Sequence, residues 1–164
     1  MFSALRRTVN ASLCFAALLC TSSLTSAQVG RVWGWGQNPH GELGYGYFGY
    51  TAFPTPILNI NGVRDVHTIN AHSLAIDSNG SLWSWGYNSN GQLGNGNRIP
   101  TASPKQVSGL GYIVATSAGD SHSLAVDADG NLWAWGSNLW GQLGTHTSAY
   151  TLTPTNVPTL YDIV

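Results

Sequence analysis

A chain of 164 residues with six Lys/Arg against seven Asp/Glu carries a net charge of −1 and a charged fraction of only 8%. Beyond the N-terminal segment its basic residues (Arg31, Arg64, Arg98 and Lys105) stand singly, which excludes the basic patch of a nucleic-acid or anionic-membrane binder. Seven Trp and a 43% hydrophobic share exclude a chain too polar to bury a core.

The first 27 residues read as a secretory signal peptide. Arg6 and Arg7 give a basic start, Ala11–Cys20 is a short apolar run, and small residues lead to an expected cleavage near Ala27–Gln28. The run is shorter than the roughly 20 residues that cross a bilayer, so no membrane contact is expected after cleavage. Both cysteines, Cys14 and Cys20, fall inside it. The remainder, 28–164, would hold no disulfide, thiol nucleophile or cysteine metal site. It would carry four basic and seven acidic residues, and a secreted or periplasmic location follows.

From residue 30 the chain repeats itself. "VWGWGQNPHGELGYG" starts at Val32, "LWSWGYNSNGQLGNG" at Leu82 and "LWAWGSNLWGQLGTH" at Leu132, an offset of 50 residues each time. Trp33, Trp83 and Trp133 align, as do Trp35, Trp85 and Trp135. A Gly-x-Leu-Gly turn recurs at Gly41–Gly44, Gly91–Gly94 and Gly141–Gly144. Thr51, Thr101 and Thr151 each precede a proline by three residues. A register kept without insertions marks a repeat architecture, with units near 30–60, 61–110 and 111–160.

Each unit reads as strands. In "HSLAID" (His72–Asp77), His72, Leu74 and Ile76 share one face, and in "LWSWG" Trp83 and Trp85 share another. Such period-2 alternation is the mark of a strand. "DSNG" (Asp77–Gly80) and "DADG" (Asp127–Gly130) are turn chemistry and predict tight hairpins. The middle unit is expected to have strands at Val63–Ile69, His72–Asp77, Leu82–Gly86 and Lys105–Ser108. The prolines fall on an outer strand, where a missing N–H is tolerated. Small residues Gly34, Ser84 and Ala134 are expected to let a neighbouring sheet approach. The fold class is therefore all-β, about three four-stranded antiparallel units of a β-propeller. The first unit starts on its third strand, and Tyr161–Val164 would open a further unit. The array is cut mid-blade at both ends, so the ring is incomplete.

"AGDSHSLAVDADGNLWAWGSNLWGQLG" from Ala118 resembles the RCC1 (regulator of chromosome condensation) repeat family. Gly119, His122–Ala125, Gly130, Trp135–Gly136 and Gly141–Gly144 carry the match, and the resemblance runs over nearly all of 30–164. It implies a propeller that scaffolds protein interactions. The family's best-known activity is nucleotide exchange on a small nuclear GTPase together with chromatin binding, and the expected export and negative charge argue against that here.

Residues that recur are read as structural: the six aligned tryptophans, His72, His122, Gly91, Gly94, Gly141 and Gly144. A catalytic group would normally occur once. Asp77, Asp127 and Asp129 are read as turn formers rather than calcium ligands. Glu42 is the sole glutamate, standing where Gln92 and Gln142 do, and a lone carboxylate is weak ground for hydrolysis. No metal or cofactor is implied. Trp140, Tyr45, Tyr47 and Tyr50 lie where the repeat does not dictate an aromatic, and loop aromatics are typical binding anchors. The resulting reading is a non-catalytic binding module outside the cytoplasm, presenting these four residues to a protein or glycan. The alternatives are a secreted enzyme inhibitor, a hydrolase or lyase acting on extracellular polymer, and a non-functional fragment of a longer propeller. Open blade edges add self-association as an expectation.

Overall fold

The computed structural model describes residues 15–20, 30–145 and 149–158, and every regular element among them is a β-strand. The expected cleavage site at Ala27–Gln28 and the segment Tyr161–Val164 lie outside the described residues. The first sheet is β1 (Phe15–Cys20), β2 (Arg31–Asn38) and β3 (Gly49–Pro56), hydrogen-bonded in that order. The second is β4 (Val63–Ile69), β5 (His72–Asp77), β6 (Leu82–Gly86) and β7 (Thr101–Gln106). The third is β8 (Ile113–Ala118), β9 (His122–Asp127), β10 (Leu132–Gly136) and β11 (Thr151–Asn156). All pairings are antiparallel between consecutive strands. Among the described residues no strand joins the third sheet to the first, so the array is an open run of propeller blades.

Two local expectations change. The fourth strand of the middle blade is Thr101–Gln106 rather than Lys105–Ser108. It is an outer strand paired only with β6, so Pro104, which has no N–H to give, sits within it at no cost to the ladder. The chain then leaves the edge, and the Val107 N–H turns back to the Leu82 carbonyl at 2.8 Å. The small residues opposite the tryptophans serve their own blade's loop rather than a neighbouring sheet. A Cβ on Gly34 would stand 3.1 Å from the Leu43 carbonyl oxygen, and the Ser84 hydroxyl donates to the Leu93 carbonyl at 2.7 Å.

The apolar run assigned to a signal peptide is β1. Phe15–Cys20 pairs with β2 as β5 pairs with β6: Ala16 lies opposite Trp35 as Ser73 lies opposite Trp85. It occupies the place of the strand that the first repeat otherwise lacks. A short continuous apolar run is compatible with an export signal and with a sheet strand alike, and the pattern by itself does not separate them.

The core lies between the sheets. One cluster joins Val32, Ile57, Ile60 and Val63 to Ala75 and Trp85; a second joins Leu74, Ile76, Leu82 and Val107 to Ile113, Ala125 and Trp135. The second and third blades thus each push one Trp into the preceding blade. The Trp85 indole N–H donates to the Glu42 carbonyl at 2.8 Å, and the Trp135 indole N–H to the Gln92 carbonyl, also at 2.8 Å. The same two carbonyls accept the hydroxyls of Ser73 at 2.9 Å and Ser123 at 2.8 Å. The receiving loops close on these rings only because Gly44 and Gly94 hold φ of +72° and +68°, and a Cβ there would stand 2.7 Å and 2.8 Å from the indole nitrogens.

Trp135→Phe keeps the ring and removes its N–H, leaving a buried carbonyl short of one donor. We expect a loss of about 1–3 kcal/mol in urea unfolding. Gly94→Ala meets both the positive φ and the indole and should cost at least as much, on the order of 2–3 kcal/mol. Equal midpoints for wild type and both variants would refute this account of the junction.

Candidate functional site

The titratable residues are placed by repeated backbone features. His72 is 1% exposed, with Nε2 3.0 Å from the Ser123 hydroxyl of the next blade. That hydroxyl donates its own proton to the Gln92 carbonyl, so it accepts from the imidazole, and the network assigns the proton to Nε2. Nδ1 is buried with no partner among the described residues. Burial, then the neighbouring His122, pushes the His72 pKa down to about 4. Burial also lowers that of His122, with Asp120 opposing. Such an imidazole is a neutral donor between blades.

The acidic residues are equally occupied. Asp77 Oδ1 accepts the N–H groups of Asn79 and Ser81, both at 2.9 Å, and Oδ2 accepts the Trp83 indole N–H at 3.0 Å. Asp127 does the same with Asp129, Asn131 and Trp133. The Trp133 indole, then Asn131, hold the Asp127 carboxyl below its ordinary range. With the lone pairs committed to the hairpin, these carboxylates serve the turn. Glu42 is 4% exposed, and its Oε2 accepts the His40 N–H at 2.7 Å. The amide oxygens of Gln92 and Gln142 accept the N–H of Asn90 at 3.0 Å and Trp140 at 2.9 Å. Glu42 therefore closes its loop as glutamine does elsewhere, and burial raises its pKa against the backbone N–H groups that favour the anion. Among the described residues no three His, Cys, Asp or Glu side chains lie together as a metal site.

A set of residues outside the candidates is as regular as the tryptophans. Asn38 and Asn88 are buried, and so is Asn138. The Oδ1 of each accepts the N–H of Leu43, Leu93 or Leu143 at 2.7, 3.0 and 2.9 Å. These bonds fold the Gly-x-Leu-Gly loop over its blade. The signal was present, an asparagine every 50 residues.

The four candidate binding aromatics separate. Trp140 is 91% exposed, Tyr50 80% and Tyr47 58%, whereas Tyr45 is buried. The Tyr45 ring lies 4.4 Å from that of Tyr47, supporting the loop from below rather than meeting solvent. Phe48 and Phe53, 56% and 77% exposed, join Tyr47 and Tyr50 on the first blade's outer loop and strand. The second blade has Asn97, Arg98, Pro100 and Ser103 at the corresponding positions, and the third keeps an aromatic only at Tyr150, the position of Tyr50. Trp140 lies apart from this group, on the loop of the third blade. A cleft of about 140 Å³ lined by Asn79, Leu82, Val107 and Tyr112 is small beside the ~300–1,000 Å³ of small-molecule pockets.

Comparison with known proteins follows this geometry. A family model described as the regulator of chromosome condensation (RCC1) repeat matches residues 29–76, 79–126 and 129–164. A second model of the same description matches 113–142. No curated protein matches. Among solved structures, human WBSCR16 is similar at 23% identity and TM-score 0.69, over 80% of this chain and 35% of that one. Yeast RCC1 (Prp20) bound to Kap60 is similar at 19% and 0.72, over 81% and 35%. Prp20p from Saccharomyces cerevisiae, described with its binding properties to Gsp1p and histones, is similar at 20% and 0.71, over 80% and 35%. At these identities the similarity shows the fold, and the chain spans about a third of each of these proteins.

These findings correct the expectation of a secreted or periplasmic protein with a signal peptide. The matching repeat is named for chromosome condensation and a similar structure is described with histone binding, names that belong with chromosomes rather than export. The run taken for the export signal is a strand of the first sheet.

His72 makes stability depend on pH. Its folded pKa lies near 4 and its unfolded value near 6.5, so between them the unfolded chain binds more protons. The contribution is complete above about pH 6.5 and falls as pH drops toward 4, by roughly 3 kcal/mol in all. Urea midpoints measured between pH 4 and 7 should show this slope, and His72→Gln should flatten it. An unchanged slope in the variant would refute the assignment.

Proposed function

We propose that this chain, which belongs to the regulator of chromosome condensation (RCC1) repeat family, is a non-catalytic protein-binding module. The observation that carries the reading is the cluster Tyr47, Phe48, Tyr50 and Phe53. These four large side chains, each more than half exposed, occupy one stretch of one blade, three of them at positions where the next repeat has Asn97, Arg98 and Ser103. Exposed aromatics at positions free of packing duties are characteristic of protein-binding surfaces. Rigid sheets behind them keep the ordering cost of binding low.

Two further observations support the reading. His72, the repeated aspartates Asp77 and Asp127, and Glu42 are each held in a hydrogen bond that maintains a blade or a junction. The similar yeast proteins are described in complex with Kap60 or by their binding to Gsp1p and histones. A protein partner is favoured over a glycan, because the cluster pairs its aromatic rings with few charged or amide groups to meet hydroxyls.

The test is capture of partners from a cell extract by the full chain, compared with the double variant Tyr50→Ser/Phe53→Ser. Both side chains are exposed, so the fold should be retained, and we expect at least a tenfold loss of the captured partner. Equal recovery by both chains would overturn the proposed surface.

A further inference from the structure

Asparagine followed by glycine is the pair in which a backbone nitrogen most readily attacks the side chain before it, because glycine puts no Cβ in the way. The chain has four such pairs: Asn61–Gly62, Asn79–Gly80, Asn90–Gly91 and Asn95–Gly96. In three of them the glycine nitrogen is committed to a hydrogen bond. Gly80 N–H donates to the Asp77 carbonyl at 3.0 Å, Gly91 N–H to the Asn88 carbonyl at 3.0 Å, and Gly96 N–H to the Leu152 carbonyl at 2.9 Å. The Gly62 N–H has no acceptor among the described residues.

The surroundings separate the pairs further. Asn79 is exposed, but its own N–H is tied to Asp77 Oδ1 at 2.9 Å, and a Cβ on Gly80 would stand 2.5 Å from the Tyr112 ring. The Asn90 N–H is tied to Gln92 Oε1 at 3.0 Å, and a Cβ on Gly91 would stand 2.5 Å from Leu152. Asn95 Oδ1 accepts the Asn88 amide at 3.1 Å and the Asn97 N–H at 3.3 Å. Asn61 is exposed, and its amide makes no hydrogen bond among the described residues. The three atoms nearest the place of a Cβ on Gly62 all belong to Ser78, an exposed residue. Of the four pairs, Asn61–Gly62 thus keeps both the side chain and the nitrogen uncommitted. It lies in the link between the first two blades. Ile57, Ile60 and Val63 around it are buried in the cluster that holds Trp85. Ile57 N–H bonds the Val32 carbonyl at 2.9 Å, and Val63 N–H bonds the Gly30 carbonyl at 3.1 Å.

We propose that Asn61 is a site of slow self-modification, at which the folded chain converts this asparagine to aspartate and isoaspartate and so loosens the link between its first two blades. The Gly62 amide gives its proton to hydroxide, and its nitrogen attacks the carbonyl carbon of the Asn61 side chain. A C–N bond forms there, the bond from that carbon to the side-chain nitrogen breaks, and ammonia leaves. Water then opens the succinimide ring. Opening at the former side-chain carbonyl gives aspartate, and opening at the former main-chain carbonyl gives isoaspartate. The sum is asparagine plus water to acid plus ammonia, with no change of oxidation state. Both products add a negative charge. Isoaspartate alone runs the main chain through the side-chain carbon and lengthens it by a methylene. Ile60 and Val63 are anchored in the cluster on either side, so the added length displaces one of them. This inference concerns the lifetime of the fold and stands apart from the binding surface at Tyr47–Phe53.

The test is peptide mapping by mass spectrometry of the full chain held at mildly alkaline pH, folded and in guanidinium chloride. Each pair's rate in denaturant is the reference for what the fold does to it. Folding should slow Asn79, Asn90 and Asn95 by at least about fivefold, the factor that one ordinary hydrogen bond supplies. Asn61 should stay near its unfolded rate, and that rate should rise with pH. The urea midpoint of the wild type should fall as Asn61 converts. Asn61→Gln, whose longer side chain closes the ring poorly, should start at the wild-type midpoint and hold it. Freshly prepared Asn61→Asp adds the charge without the methylene and should also start there. Slowing at Asn61 equal to that at any other pair, or a rate indifferent to pH, would overturn the site. A midpoint unmoved by conversion, or lowered as far by Asn61→Asp, would overturn the loosening of the link.

Discussion

The structure depends on one backbone oxygen at each of the two junctions between blades. The carbonyl of residue 42 or 92 accepts both an indole N–H and a serine hydroxyl from the following sheet, filling both of its lone pairs. Around that bond the glycine at its side must stay bare, the loop must be held down by its asparagine, and the Trp must be long enough to cross between sheets. The hydrophobic clusters form where the ring enters. Burial drives the association of sheets without direction; the paired hydrogen bonds make it directional and set the register of one blade on the next.

The repeat was legible because it is written in residue types that have few structural substitutes. Tryptophans at period two, Asp-x-x-Gly turns and Gly-x-Leu-Gly loops each have a narrow range of backbone roles, and strands β4, β5 and β6 lie where those patterns put them. The fourth strand was harder to see because "TASPKQ" has no alternating apolar face. As an outer strand it has no second ladder to satisfy, and its composition is correspondingly free. The N-terminal strand is ambiguous for the opposite reason. "FAALLC" satisfies the composition of a sheet strand and of an export signal equally, and its place beside β2 depends on tertiary pairing that no local pattern records.

The candidate surface was partly legible. Trp140 and Tyr47 are aromatics where the other copies have none, Tyr50 recurs only as Tyr150, and solvent reaches all three. Tyr45 carried the same signal, yet its neighbour Tyr47 covers it. Which member of a loop aromatic pair faces outward is decided by chain reversal over a few residues rather than by residue type. Phe48 and Phe53 carried the signal too, since Arg98 and Ser103 replace them one repeat later. Glu42 illustrates the reverse. A unique carboxylate looks like chemistry until its oxygen is found bonding the same backbone N–H position as an amide oxygen in the sister loops.

The bond between neighbouring blades also limits how such a gene can lengthen. Trp85 reaches back 43 residues to its acceptor, and Trp135 reaches back the same 43. Duplication of any whole 50-residue segment, wherever its endpoints fall, reproduces that spacing and adds one more matched donor and acceptor. An insertion of another length in the sheet strands between acceptor and donor shifts the ring off its oxygen and turns alternate side chains to the wrong face. Growth by complete units is thus the route that keeps every junction, and the uninterrupted period of the sequence is the mark such a history would leave.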